Sequence, residues 1–138
     1  AAMIDSKVEL GSKAVGQQSK RPMMGQSPFI VNAGLYYHKK ESKLQTGLIY
    51  NIIGKRIYAV GTYGTPDIYE MPRHLLDFTL VKGIGRNVEV KAGIQDILSQ
   101  HLILRQDSDE NGKVNLEDEL ILDRKPGRYI TIGFNVKI

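Results

Sequence analysis

Hydrophobic and polar residues alternate along RYITIGFNVKI, the stretch from Arg128 to Ile138. One side of this stretch is entirely hydrophobic and consists of Ile130, Ile132, Phe134, Val136 and Ile138. The other side consists of Tyr129, Thr131, Gly133, Asn135 and Lys137. A two-residue period is typical of a strand with one apolar face. The pattern leaves open whether that face contacts a protein core or lipid.

The same alternation, together with the positions of turn residues, predicts about six strands and almost no helix. The best short helical candidate, around Ile94 to His101, fits a strand equally well. The predicted fold class is therefore all-β, an antiparallel up-and-down meander. Its strands are predicted at residues 2–10, 27–38, 44–59, 73–82, 88–104 and 127–138.

The middle strands repeat the division into an apolar and a polar face. In the second strand, for example, one face carries Val31, Ala33, Leu35 and Tyr37. A polar opposite face suits a water-filled barrel lumen, and it suits the solvated side of a soluble antiparallel sheet equally well. Asp96 interrupts the apolar face of the fifth strand. This predicts either a position near a membrane interface or a β-bulge that shifts the register.

The connections between the predicted strands vary in length in a regular way. The first, third and fifth are long, whereas the second and fourth are short: KKES after His38, and KGIGRN between Val81 and Val88. In an up-and-down meander, odd and even connections lie at opposite ends of the strands. One end therefore carries only tight turns and the other only long loops. Outer-membrane barrels share this asymmetry, with short periplasmic turns and long extracellular loops.

The amino-acid composition excludes several classes of protein and of binding site. With 138 residues, 41% of them hydrophobic and 25% charged, the chain has the length and balance of one ordered domain. It lacks cysteine, which excludes disulfides and thiolate metal sites. The net charge of +4 comes from basic residues scattered among acids, so we expect no nucleic-acid partner. No apolar run reaches the ~18 residues of a membrane helix, and the start, AAMIDSKVEL, has no signal-peptide features.

Five segments of the chain read GQSPFIVNAGLYYH, LIYNIIGKRIYAVG, PDIYEMPRHLLDFTLVKGIG, VEVKAGIQDIL and PGRYITIGFNVKI. In wording and order they resemble the C-terminal end of a TonB-dependent outer-membrane receptor. The resemblance is to the Bacteroidetes type, whose members carry a carboxypeptidase-regulatory-like N-terminal domain, and it covers nearly the whole chain. IGKRI followed by PDIYEMPRHLLD is its most specific part.

The resemblance implies a barrel of about 22 strands, closed by a plug domain, that imports a scarce ligand with energy transmitted by TonB. Residues 1–138 are then a C-terminal barrel segment without the plug, in the cell outer membrane. The implied partners are outer-membrane lipid, the remaining barrel and plug of the same receptor, and TonB through the N-terminal part. Such receptors usually end in phenylalanine, where this chain has Ile138.

The stretch DSDENGKVNLED, from Asp107 to Asp118, fits a twelve-residue calcium loop. The predicted ligands are the side chains of Asp107, Asp109, Asn111 and Asp118 and the carbonyl oxygen of Lys113. Two features count against calcium. The closing residue is Asp rather than the longer Glu, and both flanks read as strands rather than helices. An acidic hairpin tip without a metal fits the same residues, because Asp, Asn and Gly favour turns.

No arrangement of residues predicts an enzyme. His38, His74 and His101 are far apart and lack the spacing of metal ligands, and no serine lies in a G-x-S-x-G turn. Two functions remain. One is the transport receptor, and the other is a soluble antiparallel β module that binds a partner or calcium through its long loops. They differ in whether the apolar faces of the strands contact lipid or a protein core.

Overall fold

The computed structural model describes residues 2–3, 7–9, 20–62, 64–108 and 114–136. These residues form strands and turns, and none of them is helical. The predicted fold class, all-β with antiparallel up-and-down connectivity, is confirmed. The strands are β1 Ala2–Met3, β2 Lys7–Glu9, β3 Lys20–Pro22, β4 Phe29–Lys39, β5 Leu44–Ile53, β6 Arg56–Ala59, β7 Ile68–Glu70, β8 Arg73–Ile84, β9 Val88–Gln95, β10 Leu102–Gln106, β11 Glu119–Arg124 and β12 Tyr129–Val136.

The strands form three sheets, none of which closes into a barrel within the described part of the chain. The largest has six strands in the order β1-β4-β5-β8-β9-β12. A four-stranded sheet has the order β11-β10-β7-β6, and β2 pairs with β3. From β4 onward, the strands of the largest sheet are neighbours in the order in which the chain reaches them.

The described residues form twelve strands, six of them in the largest sheet, because long predicted strands are interrupted and long predicted loops contain strands. Residues 44–59 form β5 and β6, and residues 88–104 fall mainly within β9 and β10. Strands β3, β7 and β11 lie within the three predicted long loops. Only parts of the predicted strands 2–10 and 127–138 are described: residues 4–6, 10, 137 and 138 lie outside the described residues.

Each interruption contains a residue that disturbs strand pairing. Between β5 and β6, the Gly54 N–H donates to the Phe29 carbonyl at 3.1 Å, and a Cβ on Gly54 would lie 2.7 Å from the Phe29 ring. Pro72, which has no N–H, lies between β7 and β8. Before β12 the chain passes Pro126 and then Gly127, whose φ is +88°. Along the chain, β5 and β9 are each followed by a strand of the four-stranded sheet, and β8 and β12 are each preceded by one. The four strands of each set have the same neighbour order.

Asp96 marks the remaining interruption. Strand β9 ends at Gln95, so Asp96 lies in a turn and not in a β-bulge of a longer strand. Its φ is +51°, and its side chain and backbone are buried at 7% exposure. The Asp96 N–H donates to the Asp77 carboxylate at 2.8 Å, and the Ser99 N–H donates to the Asp96 carbonyl and carboxylate at 2.9 and 3.1 Å. The carboxylate that breaks the alternation therefore stabilises the turn that ends the strand.

The chain divides into two compact units. Unit 1 consists of Ala1–Ile30, Ile53–Arg73 and His101–Lys125. Unit 2 consists of Val31–Ile52, His74–Gln100 and Pro126–Ile138.

Unit 1 has a small hydrophobic core. Ile57 is fully buried and clusters with Tyr69 and Val114, and Val60 and Met71 pack against the cluster. The core is bordered by charged residues: the Arg56 guanidinium contacts the Glu70 carboxylate at 2.7 and 2.8 Å, and the Lys55 ammonium lies 5.3 Å from the centre of the Tyr69 ring. Ile57 and Tyr69 are direct partners in the β6–β7 ladder, which explains how two short strands form a core.

In unit 2, the Tyr36 ring lies against glycines on two adjacent strands. A Cβ on Gly34 would be 2.9 Å from the ring, and a Cβ on Gly47 would be 3.1 Å from it. Only glycine permits this approach without a shift of the ring. An aromatic ring packed over glycine protects backbone that glycine alone leaves bare, and it pins the register of neighbouring strands.

Candidate functional site

Unit 2 presents an apolar face that is continuous across β8, β9 and β12. Residues directly opposite each other in an antiparallel ladder point to the same face. The ladders therefore define four rows: Ile130 with Ile94 and Phe78, Ile132 with Ala92 and Leu80, Phe134 with Val90 and Lys82, and Val136 with Val88 and Ile84. We call this surface the apolar face. Its composition follows from the two-residue period that the sequence shows.

The apolar face is strongly exposed on β12 and half-buried over most of β8 and β9. On β12, the exposed fractions are 71% for Ile130, 65% for Ile132, 68% for Phe134 and 64% for Val136. The hydrophobic residues that are buried, among those the structure describes, are Ile57, Tyr69, Leu104 and Val114, all of them in unit 1. An exposed hydrophobic surface that spans several strands marks an interaction site.

The opposite face of the same sheet is polar and hydrogen-bonded. The Asn135 side-chain amide donates to the Glu89 carboxylate at 3.3 Å, and the Lys91 ammonium lies 3.4 Å from the same oxygen. The Asn51 side chain donates to that of Asn32. The six-stranded sheet is therefore amphipathic in unit 2, with water-compatible groups on one side and hydrocarbon on the other.

Two polar side chains share the apolar face of β8, one near each end. The His74 Nδ1 atom lies 2.6 Å from the Tyr50 hydroxyl, and the Lys82 ammonium donates to the Ser42 carbonyl oxygen at 2.6 Å. Between them the face consists of Leu76, Phe78 and Leu80. This stretch is thus flanked by polar groups that have partners within the protein, and Ile84 continues the face beyond Lys82.

Lys82 lies two residues after Leu80, so the alternation of β8 places it on the apolar face. The two-residue period of the strand is enough to predict this position of Lys82. What the period does not show is that the Ser42 carbonyl, 40 residues away, accepts from the ammonium.

The loop predicted to bind calcium belongs to unit 1, and the structure describes its two ends. Asp107 and Asp118 are buried, with exposed fractions of 4% and 5%. The Asp118 carboxylate accepts the Asn115 N–H at 2.6 Å and the Ser108 N–H at 3.2 Å. These bonds are those expected of an acidic hairpin tip, and calcium binding stays a prediction. The other proposed ligands lie outside the described residues: Asp109, Asn111 and Lys113.

The histidines lie in separate surroundings. His74 contacts Tyr50, the His101 Nδ1 atom contacts the Asp123 carboxylate, and His38 lines a cleft on the polar face of unit 2. Within the described ranges, no group of three or more histidine, aspartate or glutamate side chains is arranged to hold a metal ion. Among the residues that the structure describes, no helix has the length and hydrophobicity required to cross a membrane.

Comparison with known proteins does not identify this chain. No protein-family model, no curated protein and no solved structure matches it. Any function assigned to the chain therefore depends on its own sequence and geometry.

We expect Asp118→Ala to lower the free energy of unfolding by about 1–3 kcal/mol, because it leaves the Asn115 and Ser108 N–H groups without their acceptor. Denaturant unfolding in detergent micelles with a calcium chelator measures this change. Glu117→Ala is the matched control, since Glu117 is exposed and its own N–H bond to Asn115 survives the substitution. We expect that control to stay within about 0.5 kcal/mol of wild type.

The same variants separate the two interpretations of the loop. If the loop is a hairpin tip without a metal, Asp118→Ala lowers the free energy of unfolding by the same amount with the chelator and with added calcium chloride. A calcium site instead stabilises the wild type when calcium is added, and Asp118→Ala removes that gain. Wild-type stability in Asp118→Ala under both conditions would contradict the role given to the carboxylate.

Proposed function

We propose that this chain is the C-terminal barrel segment of a TonB-dependent outer-membrane receptor. In this proposal it supplies lipid-facing strands, barrel closure and external loops to the import of a scarce ligand, and it carries out no catalysis. The observation that supports the proposal most directly is the exposed apolar face of unit 2. Moving a Val, Ile or Phe side chain out of water is worth about 1.5–3 kcal/mol, so lipid is a favourable neighbour for such a face.

The height of the hydrophobic band agrees with a membrane. From His74 to Lys82 the strand rises roughly 27 Å, at ~3.4 Å per residue. Strands of outer-membrane barrels tilt by about 35–45°, so this stretch crosses roughly 20 Å. The apolar band of such barrels is about 25 Å tall. The histidine and the lysine that flank this stretch suit positions near the two interfaces, because lysine extends its charge toward water while its methylene chain stays in hydrocarbon.

The open edge of the sheet supports closure by further strands. Among the described strands, β12 is hydrogen-bonded on one side only, to β9. Within hydrocarbon an unpaired backbone group costs several kcal/mol, so membrane-spanning sheets close into barrels. In the proposal, the free edge of β12 pairs with another strand of the same receptor.

The alternative is a soluble β module with a calcium-binding loop. It requires a second layer of protein over the apolar face. In the part of the chain that the structure describes, unit 2 contains no buried hydrophobic residue, and the face is exposed on β12 and half-buried over most of β8 and β9. This favours the receptor over the soluble module.

A labelling experiment tests the proposal. Because these 138 residues contain no cysteine, a single cysteine and its fluorophore can report one position. Ile130→Cys labels the apolar face, and Thr131→Cys labels the polar face one residue away. In the membrane fraction of the producing cells, we expect brominated acyl chains to quench the Ile130 label and not the Thr131 label. Equal quenching of both labels by aqueous iodide, in a protein found in the soluble fraction, would overturn the proposal.

A further inference from the structure

The polar face of unit 2 contains a cleft of about 380 Å³ between the two short turns, residues 40–43 and 85–87. Strand positions that line it include His38, Gln45 and Glu89, which the alternation assigns to the polar face. A volume of this size lies within the range of small-ligand sites, about 300–1,000 Å³. It is therefore large enough for a small polar group.

Hydrogen bonds between the first turn and the hairpin of β8 and β9 shape the cleft in advance. The Gly83 N–H donates to the Lys43 carbonyl at 2.9 Å, and the Lys43 ammonium donates to the Gly85 carbonyl at 2.7 Å. On the apolar side, the Lys82 ammonium donates to the Ser42 carbonyl at 2.6 Å. Lys43 has a φ of +47°, a left-handed conformation that these bonds hold in place. Because the turns are joined, a ligand does not have to order them.

The charged side chains that line the cleft are mainly cationic. Lys40, Lys43 and Arg86 line the cleft together with one carboxylate, that of Glu89. Glu89 in turn contacts the Lys91 ammonium at 3.4 Å and accepts from the Asn135 amide, so part of its charge is compensated by a lysine outside the lining. The cleft therefore has an excess of positive charge and several N–H donors.

We propose that this cleft binds a phosphate group. The planar guanidinium of Arg86 can hold two phosphate oxygens, and the lysine ammonium groups act as additional charges. The Gln45 amide supplies a neutral donor. A lipid headgroup and a soluble phosphate present the same oxygens to these groups. The inference stands on the cleft alone and does not require the receptor proposal.

The first experiment titrates inorganic phosphate into the chain in uncharged detergent micelles, at constant ionic strength. Backbone amide signals of Gly83 and Gly85 in nitrogen-15 NMR spectra report binding. We expect saturable shifts with phosphate and none with chloride. A second titration uses micelles that contain phosphatidylglycerol or uncharged lipid. Tighter binding of phosphatidylglycerol than of inorganic phosphate assigns the site to a headgroup, and the reverse assigns it to a soluble phosphate.

Variants test whether the named cations form the site. Lys40→Gln combined with Arg86→Gln should weaken phosphate binding at least tenfold. The matched control, Arg124→Gln combined with Lys125→Gln, removes the same charge from exposed residues that do not line the cleft, and it should bind like wild type. Arg86→Lys keeps the charge but loses the guanidinium fork, so it should weaken binding severalfold even if the double variant fails to fold.

Three results would overturn the inference. The first is the absence of saturable shifts in the wild type. The second is an equal loss of binding in the Arg124 and Lys125 control, which would show a general charge effect. The third is saturable binding of an acidic peptide such as polyglutamate with none of phosphate, which would make the cleft a contact for protein carboxylates.

Discussion

Ile132→Arg should lower the stability of the membrane-embedded protein by about 2–4 kcal/mol, the cost of an arginine on the lipid face of a barrel near the bilayer midplane. Ile132 lies in the middle of β12, 65% exposed on the apolar face, opposite Ala92. If lipid covers this face, the substitution places a charged guanidinium in hydrocarbon, where the wild type has the isoleucine side chain. Denaturant unfolding in lipid vesicles measures the loss, and heat-modifiable mobility on gels reports whether the barrel still forms.

Thr131→Arg is the matched control for this prediction. Thr131 is the preceding residue of the same strand, is also exposed, and lies opposite Gly93 on the polar face. Introducing the same side chain there should change stability by less than about 0.5 kcal/mol, as exposed polar positions usually do. If Ile132→Arg were as neutral as Thr131→Arg, water would cover both faces, and the soluble module would be the better explanation of the chain.

Ile57→Ala should destabilise the protein by about 2–5 kcal/mol, the usual effect of truncating a buried isoleucine. Ile57 is the one fully buried large side chain among the described residues, and it contacts Tyr69 and Val114 in the core of unit 1. The substitution removes hydrophobic contacts and leaves a cavity that neighbouring strands close only in part. Denaturant unfolding measures the loss of free energy.

Hydrogen exchange shows whether that loss is local to unit 1. The Gly25 N–H donates to the Ile57 carbonyl at 2.8 Å, a bond that Ile57→Ala leaves chemically intact. Protection of the Gly25 N–H against hydrogen exchange should fall in Ile57→Ala, because the free energy required to open unit 1 becomes smaller. Tyr58→Ala is the control: Tyr58 adjoins Ile57, is 57% exposed, and lies where the β6–β7 register shifts. Equal destabilisation by both variants would contradict a core centred on Ile57.

The candidate sites were predictable to different degrees. The alternation placed Ile130, Ile132, Phe134 and Val136 on one face, and the ladder with β9 extends that face as expected. For the calcium loop, the spacing predicted Asp107 and Asp118 as calcium ligands. It did not show that the Asp118 carboxylate accepts backbone N–H groups of Ser108 and Asn115. The phosphate cleft was not predicted, because its cations come from two turns that lie far apart in the sequence.

By itself, the sequence determined the fold class and the two faces of each long strand. Successive side chains of any strand point to opposite sides, so the period assigns faces without knowledge of strand partners. Only the tertiary structure decided where strands are interrupted, that the interrupted segments form a second sheet, and how the turns are joined. The bond from Lys82 to the Ser42 carbonyl and the turn that Asp96 forms with Asp77 link residues 40 and 19 positions apart. Such contacts depend on distances in the folded chain, and a local pattern of hydrophobic and polar residues carries no information about them.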